Sequence, residues 1–323
     1  MCPSADVKPR TVFMGTPDFA VPVLSALVDA SYDIVGVYTR RDRRVGRGRH
    51  TVPLEMKRFA LEHGLDVFQP ASLRRDESAR RELALLAPDI IVVAAYGLFL
   101  PSDALSLPRL GCLNIHPSLL PRHRGASPVA SAILGGDDVT GVTIIQLDEG
   151  MDSGPIIARQ ETAIGPDETA EDLTARLFRI GAALLLEVLP GWELGEIQAR
   201  PQDHSRTTVT GRLSKEDGEI DWDRSAVYIA RQVRAFHPWP GTFTRWRGKT
   251  LKIIAAAVGT GSKPDLAVPS GQVVSLPEGG VGVGTSDGIL TVKKLQLEGR
   301  RAVEIRDFLQ GYRDFVGSKV GTQ

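Results

Sequence analysis

A chain of 323 residues with 42% apolar content is too long for one compact core and sufficient for two. Lys plus Arg and Asp plus Glu balance at 39 each, so bulk charge does not hold this protein to nucleic acid and only local patches can. The two cysteines, Cys2 and Cys112, exclude a disulfide framework and a cysteine zinc site, and no apolar run reaches the length of a membrane span.

Thr11 to Gly15 predicts a short apolar strand, followed by a turn and a helix with Phe19, Val23, Leu24 and Leu27 on its apolar side. Asp33 to Tyr38 predicts the next strand. Strand, helix and strand within so few residues make a βαβ unit, so a doubly wound parallel sheet is expected. The first turn is Gly15-Thr16-Pro17 and lacks the phosphate-cradling glycines of a dinucleotide site, which counts against a nicotinamide oxidoreductase. Arg40 to His50 then carries six arginines, two glycines and the single acid Asp42. It reads as a solvated loop whose guanidinium groups suit phosphate oxygens.

Val52 to His63 and Arg74 to Leu86 have helical spacing, with a short strand at Leu65 to Phe68 between them. Asp89 to Gly97 is apolar at almost every position, as in a strand buried on both faces. Polar residues beyond it therefore fall at the carboxyl end of a strand. Asn114 and His116 are two apart, which points both to one face of an extended segment, and Pro117 biases His116 away from helical dihedrals. Cys112 alternates onto the same face and reads as a small packed hydrophobe. A second apolar run, Val142 to Leu147, delivers Asp148, Glu149 and Asp152 before Gly154. A lone Asn, His or Asp in a loop usually caps a turn, so the constellation carries the argument. A carboxamide N–H steadies a developing oxyanion, an imidazole moves a proton, and a carboxylate orients it and favours its charged form.

Ser127 to Leu134 predicts a helix, and Glu168 to Leu189 a long one ended by Pro190-Gly191. Gln198 to Arg212 is polar without apolar period and reads as a linker. Beyond Leu213 short β-like runs with glycine turns predict a small barrel or sandwich, with helices at Ser225 to Phe236 and Val303 to Leu309. There Arg231, Arg234, Arg245, Arg247, Lys249 and Lys252 interleave with Phe236, Trp239, Phe243 and Trp246. That pattern suits a nucleic-acid face and equally a barrel with aromatics inside and charges outside.

The stretch NIHPSLLPRHRGASPV followed by GVTIIQLDEGMDSG resembles the signature of the folate-dependent formyltransferases. MGTPDFAVPVLSAL, RRDRRVGRGR, RLSKEDGEIDW and RQVRAFHPWPGTF resemble those members of the family that act on methionyl-tRNA, and the resemblance runs through nearly the whole chain in order. It implies an α/β architecture: an N-terminal Rossmann-like doubly wound domain over residues 1–200, a linker over 201–212, and a C-terminal OB-like β-barrel over 213–323 that binds tRNA. It implies transfer of formyl from 10-formyltetrahydrofolate to the α-amine of initiator methionyl-tRNA, with Asn114, His116 and Asp152 catalytic. The folate would lie along Tyr96, Gly97, Leu98, Ser118, Leu119, Leu120, Pro121, Val142 and Asp148, although Asp148 reads first as a loop cap. Arg41, Arg43, Arg44, Arg47 and Arg49, with Arg234, Arg245 and Lys249, would meet the tRNA. No metal is expected, and the protein is expected to be a cytoplasmic monomer without membrane attachment. The alternatives are a formyltransferase for a small amine, such as glycinamide ribonucleotide or an amino sugar, and a noncatalytic RNA-binding protein.

Overall fold

In the computed structural model, which describes residues 8–45, 50–259 and 268–321, the chain forms two units. The first comprises Met1–Pro128, Val139–Ala163 and Thr174–Thr210, and the second Val129–Asp138, Ile164–Leu173 and Gly211–Gln323. From the start run β1 (Arg10–Gly15), α1 (Val21–Asp29), β2 (Asp33–Tyr38), the antiparallel pair β3 (Arg43–Val45) and β4 (His50–Val52), α2 (Glu55–Glu62), β5 (Val67–Phe68), α3 (Glu77–Leu85) and β6 (Ile90–Ala94). There follow α4 (Ser102–Leu105), β7 (Cys112–His116), β8 (Arg124–Gly125), α5 (Pro128–Gly135), β9 (Val139–Gln146), β10 (Ile156–Ala163), α6 (Ala170–Glu193) and β11 (Val209–Thr210).

The first unit is built on a seven-stranded sheet ordered β10-β9-β7-β6-β1-β2-β5. Every residue of β6 is buried, as is all of β1 after Arg10, because strands at the centre of a covered sheet meet apolar neighbours on both faces. The parallel order expected from the sequence holds from β7 to β5. The other edge departs from it: β9 is antiparallel to β7, and β10 to β9. Residues 147–155 join β9 to β10 by a short return, which only antiparallel neighbours allow.

The helices obey local chemistry. Pro22 sits in the first turn of α1, which buries Val23, Leu24 and Leu27, and the Asp76 carboxylate accepts the Ala79 N–H at 3.1 Å to cap α3. The long helix passes its expected stop, because α6 runs through Pro190 to Glu193. A proline in a last turn removes one backbone bond without ending the helix, and Trp192 Nε1 fastens that turn by donating to the Leu110 carbonyl at 2.9 Å.

In the second unit α7 (Ala226–Ala235), β12 (Thr242–Trp246), β13 (Lys249–Val258), β14 (Val273–Leu276), β15 (Gly280–Gly284), β16 (Ile289–Leu297), β17 (Val303–Glu304) and α8 (Ile305–Gly311) follow one another. The antiparallel sheet has the order β12-β13-β16-β15-β14, with β17 on β16, and among the described residues no pairing joins β12 to β14. Alternation along β12 turns Arg245 outward and Trp246 inward, where the indole packs against Phe308, Tyr312 and Phe315. Among the described residues no helix is long and apolar enough to cross a membrane.

Gly181 in α6 lies where an added Cβ would come 2.6 Å from Ile115 Cγ2 and 3.2 Å from Val142 Cγ1, so the helix needs glycine to pack on β7 and β9. Gly181→Ala, which raises helix propensity, is expected to destabilise the protein by about 1–3 kcal/mol through overpacking. A urea midpoint equal to or above that of the wild type would contradict this packing.

Candidate active site

β7 brings Asn114 and His116 to the carboxyl end of the parallel strands, beside the loop after β6. His116 is 4% exposed. Its Nε2 lies 3.0 Å from the carbonyl oxygen of His123, and a carbonyl only accepts, so Nε2 carries the proton. Nδ1 then presents its lone pair to Asp152 Oδ2 at 3.6 Å, too long for a hydrogen bond and within ion-pair range once the ring is protonated.

Burial holds the imidazole below its ordinary value of 6.5, against the opposing pull of the Asp152 charge and the His123 carbonyl. The expected rise in pKa is therefore corrected: desolvation of a nearly enclosed ring outweighs a single carboxylate. A neutral imidazole with a free Nδ1 is equipped to accept a proton. The Asn114 carboxamide is half-buried, and no hydrogen bond from it is found among the described residues.

Asp152 occupies its place at the expense of backbone strain, since its φ is +50°, a left-handed conformation that costs a non-glycine residue about 1–2 kcal/mol. The neighbourhood over-determines it. The Gly125 N–H donates to Asp152 Oδ2 at 2.8 Å, and the Gln202 amide donates to the carbonyls of Asp152 at 2.8 Å and Gly154 at 2.7 Å. Gly125 has φ +105°, and a Cβ there would run into the Thr210 carbonyl, so only glycine presents its N–H in that position. Arg124 is buried and donates to Gln202 Oε1 from Nε at 3.1 Å and Nη2 at 2.6 Å.

The residues expected along the folate fall into two groups. Leu98 is half-buried, Gly97 has φ +77°, and Leu119 is partly exposed beside Gly141. Tyr96, Ser118, Leu120, Pro121 and Val142 are buried. Ser118 Oγ donates to the Arg122 carbonyl at 2.7 Å, and Val142 faces Gly181, so these two side chains serve the packing. Asp148 is exposed and its Oδ1 accepts from the Gly150 N–H at 3.0 Å and Ser153 Oγ at 2.8 Å, which caps the loop. Cys112 is packed in the core with its thiol pushed up to about 12 by burial, in accord with its reading as a hydrophobe.

Of the basic residues, Arg41, Arg245 and Lys249 are exposed, whereas Arg234 is half-buried with Nη1 donating to the Glu168 carbonyl at 3.0 Å. Arg43 and Arg44 have their backbone in β3, and Arg47 and Arg49 lie outside the described residues. Among the described residues no group of His, Cys, Asp and Glu is placed to hold a metal ion.

Sequence reasoning missed Arg124, Gln202, the Gly125 N–H and the His123 carbonyl. It also passed over Thr143, a hydroxyl inside an apolar run, which was a readable signal. Thr143 is fully buried; its Oγ1 donates to the Ser118 carbonyl at 2.7 Å and accepts the Leu120 N–H at 3.1 Å, bracing the turn after His116.

Residues 9–189 match the family model described as formyl transferase, and residues 212–313 match its C-terminal domain. A protein of Roseiflexus castenholzii named methionyl-tRNA formyltransferase is 48% identical over 97% of this chain and 99% of its own length. Among solved structures, WlaRD, a sugar 3N-formyl transferase, gives a TM-score of 0.66 at 17% identity, covering 91% of this chain and 99% of that one. HypX from Aquifex aeolicus in complex with tetrahydrofolic acid gives 0.62 at 18% identity, covering 96% of this chain and 48% of that one. At such identities the structural likeness speaks for the fold alone.

The neutral state of His116 has a thermodynamic signature. Its folded pKa lies below 6.5, so in the window beneath 6.5 the unfolded chain binds more protons and stability falls as pH drops. Thermal unfolding followed from pH 7.5 to pH 5 is expected to show a smaller loss of stability in His116→Asn than in the wild type. Equal slopes would mean that the ring is not held neutral.

Proposed function

Because the chain belongs to the formyl transferase family, we propose that it moves the formyl group of 10-formyltetrahydrofolate onto the α-amine of initiator methionyl-tRNA, giving N-formylmethionyl-tRNA for translation initiation. One arrangement carries the chemistry: a buried imidazole, its pKa held down by desolvation, faces a fixed carboxylate beside a carboxamide for which no hydrogen bond is found among the described residues. The acceptor is supported by the near-full-length identity to a relative that bears the methionyl-tRNA name.

This arrangement supports the following roles. The amine adds to the formyl carbon, and the Asn114 N–H lies ready for the oxygen that gains charge; loss of one such donor costs about 100-fold or more in rate. His116 Nδ1 takes the proton shed by the amine, directly or through a water, and the imidazolium formed is then 3.6 Å from Asp152. His116 returns the proton to the departing folate nitrogen as the old carbon–nitrogen bond breaks. No covalent enzyme intermediate is required. The partly exposed Leu98 and Leu119 and the Gly97 backbone suit the flank of a flat heterocycle.

The reading divides the labour between residues 1–200, for folate and catalysis, and residues 213–323, for tRNA; the family matches over 9–189 and 212–313 support two parts, and the expected linker is corrected, because residues up to Thr210 pack with the first unit. Arg41, Arg245 and Lys249, all exposed, suit phosphate contacts. An OB-like form for the second sheet is supported by its antiparallel order and by two irregularities in β13, between Ile253 and Ala255 and between Ala255 and Ala256, where a strand coils. A cytoplasmic location accords with a product consumed in translation.

Single-turnover transfer of labelled formyl is expected on initiator methionyl-tRNA and absent on glycinamide ribonucleotide, with Asn114→Ala slowed about 100-fold or more. Product on the small amine alone would replace the acceptor, and unchanged turnover in Asn114→Ala would remove the oxyanion role. The acid limb of kcat is expected below pH 6.5, and Asp152→Asn, which deletes the charge opposing desolvation, should move it further toward acid.

A further inference from the structure

The polar stretch after α6 is fastened to the site by a side chain that uses its whole hydrogen-bonding capacity. Gln202 is 5% exposed. Both of its N–H groups are engaged, on the Asp152 and Gly154 carbonyls, and its oxygen accepts twice from Arg124. Carbonyls only accept and guanidinium groups only donate, so the orientation of the amide is fixed by its partners. Further along, Thr208 Oγ1 accepts the His123 N–H at 2.8 Å, the Thr208 carbonyl accepts the Arg124 N–H at 2.9 Å, and Thr210 Oγ1 donates to the Arg124 carbonyl at 3.0 Å. The segment so gripped, residues 123–125, is the one that takes the His116 Nε2–H and supports Asp152 Oδ2.

We propose that Gln202 is a positioning residue of the reaction, acting through Asp152, with residues 202–210 as a brace that keeps the imidazole and the carboxylate in register. The carbonyls on either side of Ser153 are pinned by one amide, which holds Asp152 in its left-handed backbone. Released from that amide, the carboxylate is free to turn from Nδ1. The inference rests on the formyl-transfer reading of this site.

Gln202→Glu keeps the acceptor for Arg124 and removes both donors to the carbonyls, so it separates the two ends of the amide. With the full chain, kcat for formyl transfer is expected to fall about 10- to 100-fold, the scale for groups that orient a reacting residue, while KM for folate and for tRNA changes less than about twofold. In an Asp152→Asn background Gln202→Glu is expected to add nothing, because the residue acts through that carboxylate. Losses that multiply in the double variant, or an unchanged kcat, would overturn the proposal. NMR titration of His116 gives an arm that needs no substrate: Asp152→Asn shifts the midpoint in the wild type, and that shift should shrink in Gln202→Glu. A full shift would also overturn it. Thr208→Val, at an exposed position, serves if Gln202→Glu does not fold, and is expected to lower kcat alone; no change there would remove the brace. Transfer to glycinamide ribonucleotide in place of methionyl-tRNA would overturn the acceptor reading only, and the same kcat comparison on that acceptor would still decide Gln202.

Discussion

A carboxylate held at a set distance from a buried imidazole is the constraint that the first unit is arranged to satisfy. Burial alone keeps the ring neutral and ready to accept a proton, yet it makes the protonated ring unfavourable. Asp152 answers the second half of that problem, because it lies 3.6 Å from the nitrogen that would receive the proton. Keeping it there requires the Gly125 N–H, the Gln202 amide and a strained backbone at residue 152. The sheet supplies the other partner: β7 ends at His116, and Asn114 stands one alternation upstream. The geometry of the candidate site is therefore a matter of how two connections, residues 117–127 and 147–155, are tied together over one strand end.

What the sequence disclosed was the part governed by local periodicity. The continuous apolar run ending in glycine became β6, buried throughout, and the alternation of Cys112, Asn114 and His116 became the strand that carries the site. Asp152 was legible as a carboxylate in the loop after β9, and its Oδ2 lies 3.6 Å from His116 Nδ1. The sign of the His116 shift was not, because desolvation depends on what closes over a ring, and the closing segment is held by long-range bonds. Gln202 escaped for a related reason. A polar stretch without apolar period has the composition of a linker, and only its partners 48 to 78 positions away make its glutamine a buried one. Ser118 and Val142 lie on the elements around His116, but which way each side chain turns is decided by the turn and by α6.

The second unit shows the same division. Its glycine-punctuated short strands were plain, and the balance between stacking surface and packed interior was not. Trp246 and Phe236 are interior, whereas Trp239 stands 60% exposed, so neighbouring aromatics of one stretch take unequal roles. Alternation along β12 places the basic side chain of Arg245 outward on the strand whose indole fills the core. A basic, partly aromatic surface and a stable interior are thus two faces of one pattern.

The antiparallel departure at the edge of the first sheet bears on self-association. A strand at the end of a long sheet leaves its outer backbone groups unpaired, a template on which another chain can add. Here that strand is β10, whose Ile156 already pairs with Arg200, and its exposed stretch is Arg159, Gln160 and Glu161, a cation and an anion flanking an amide. Stacking a second copy against it would strip water from both charges, while at the opposite edge β5 spans only Val67–Phe68 and gives little length to pair with. The outer rim of the sheet is thereby poorly suited to seed a filament, even though its interior strands are as apolar as those of many aggregating segments.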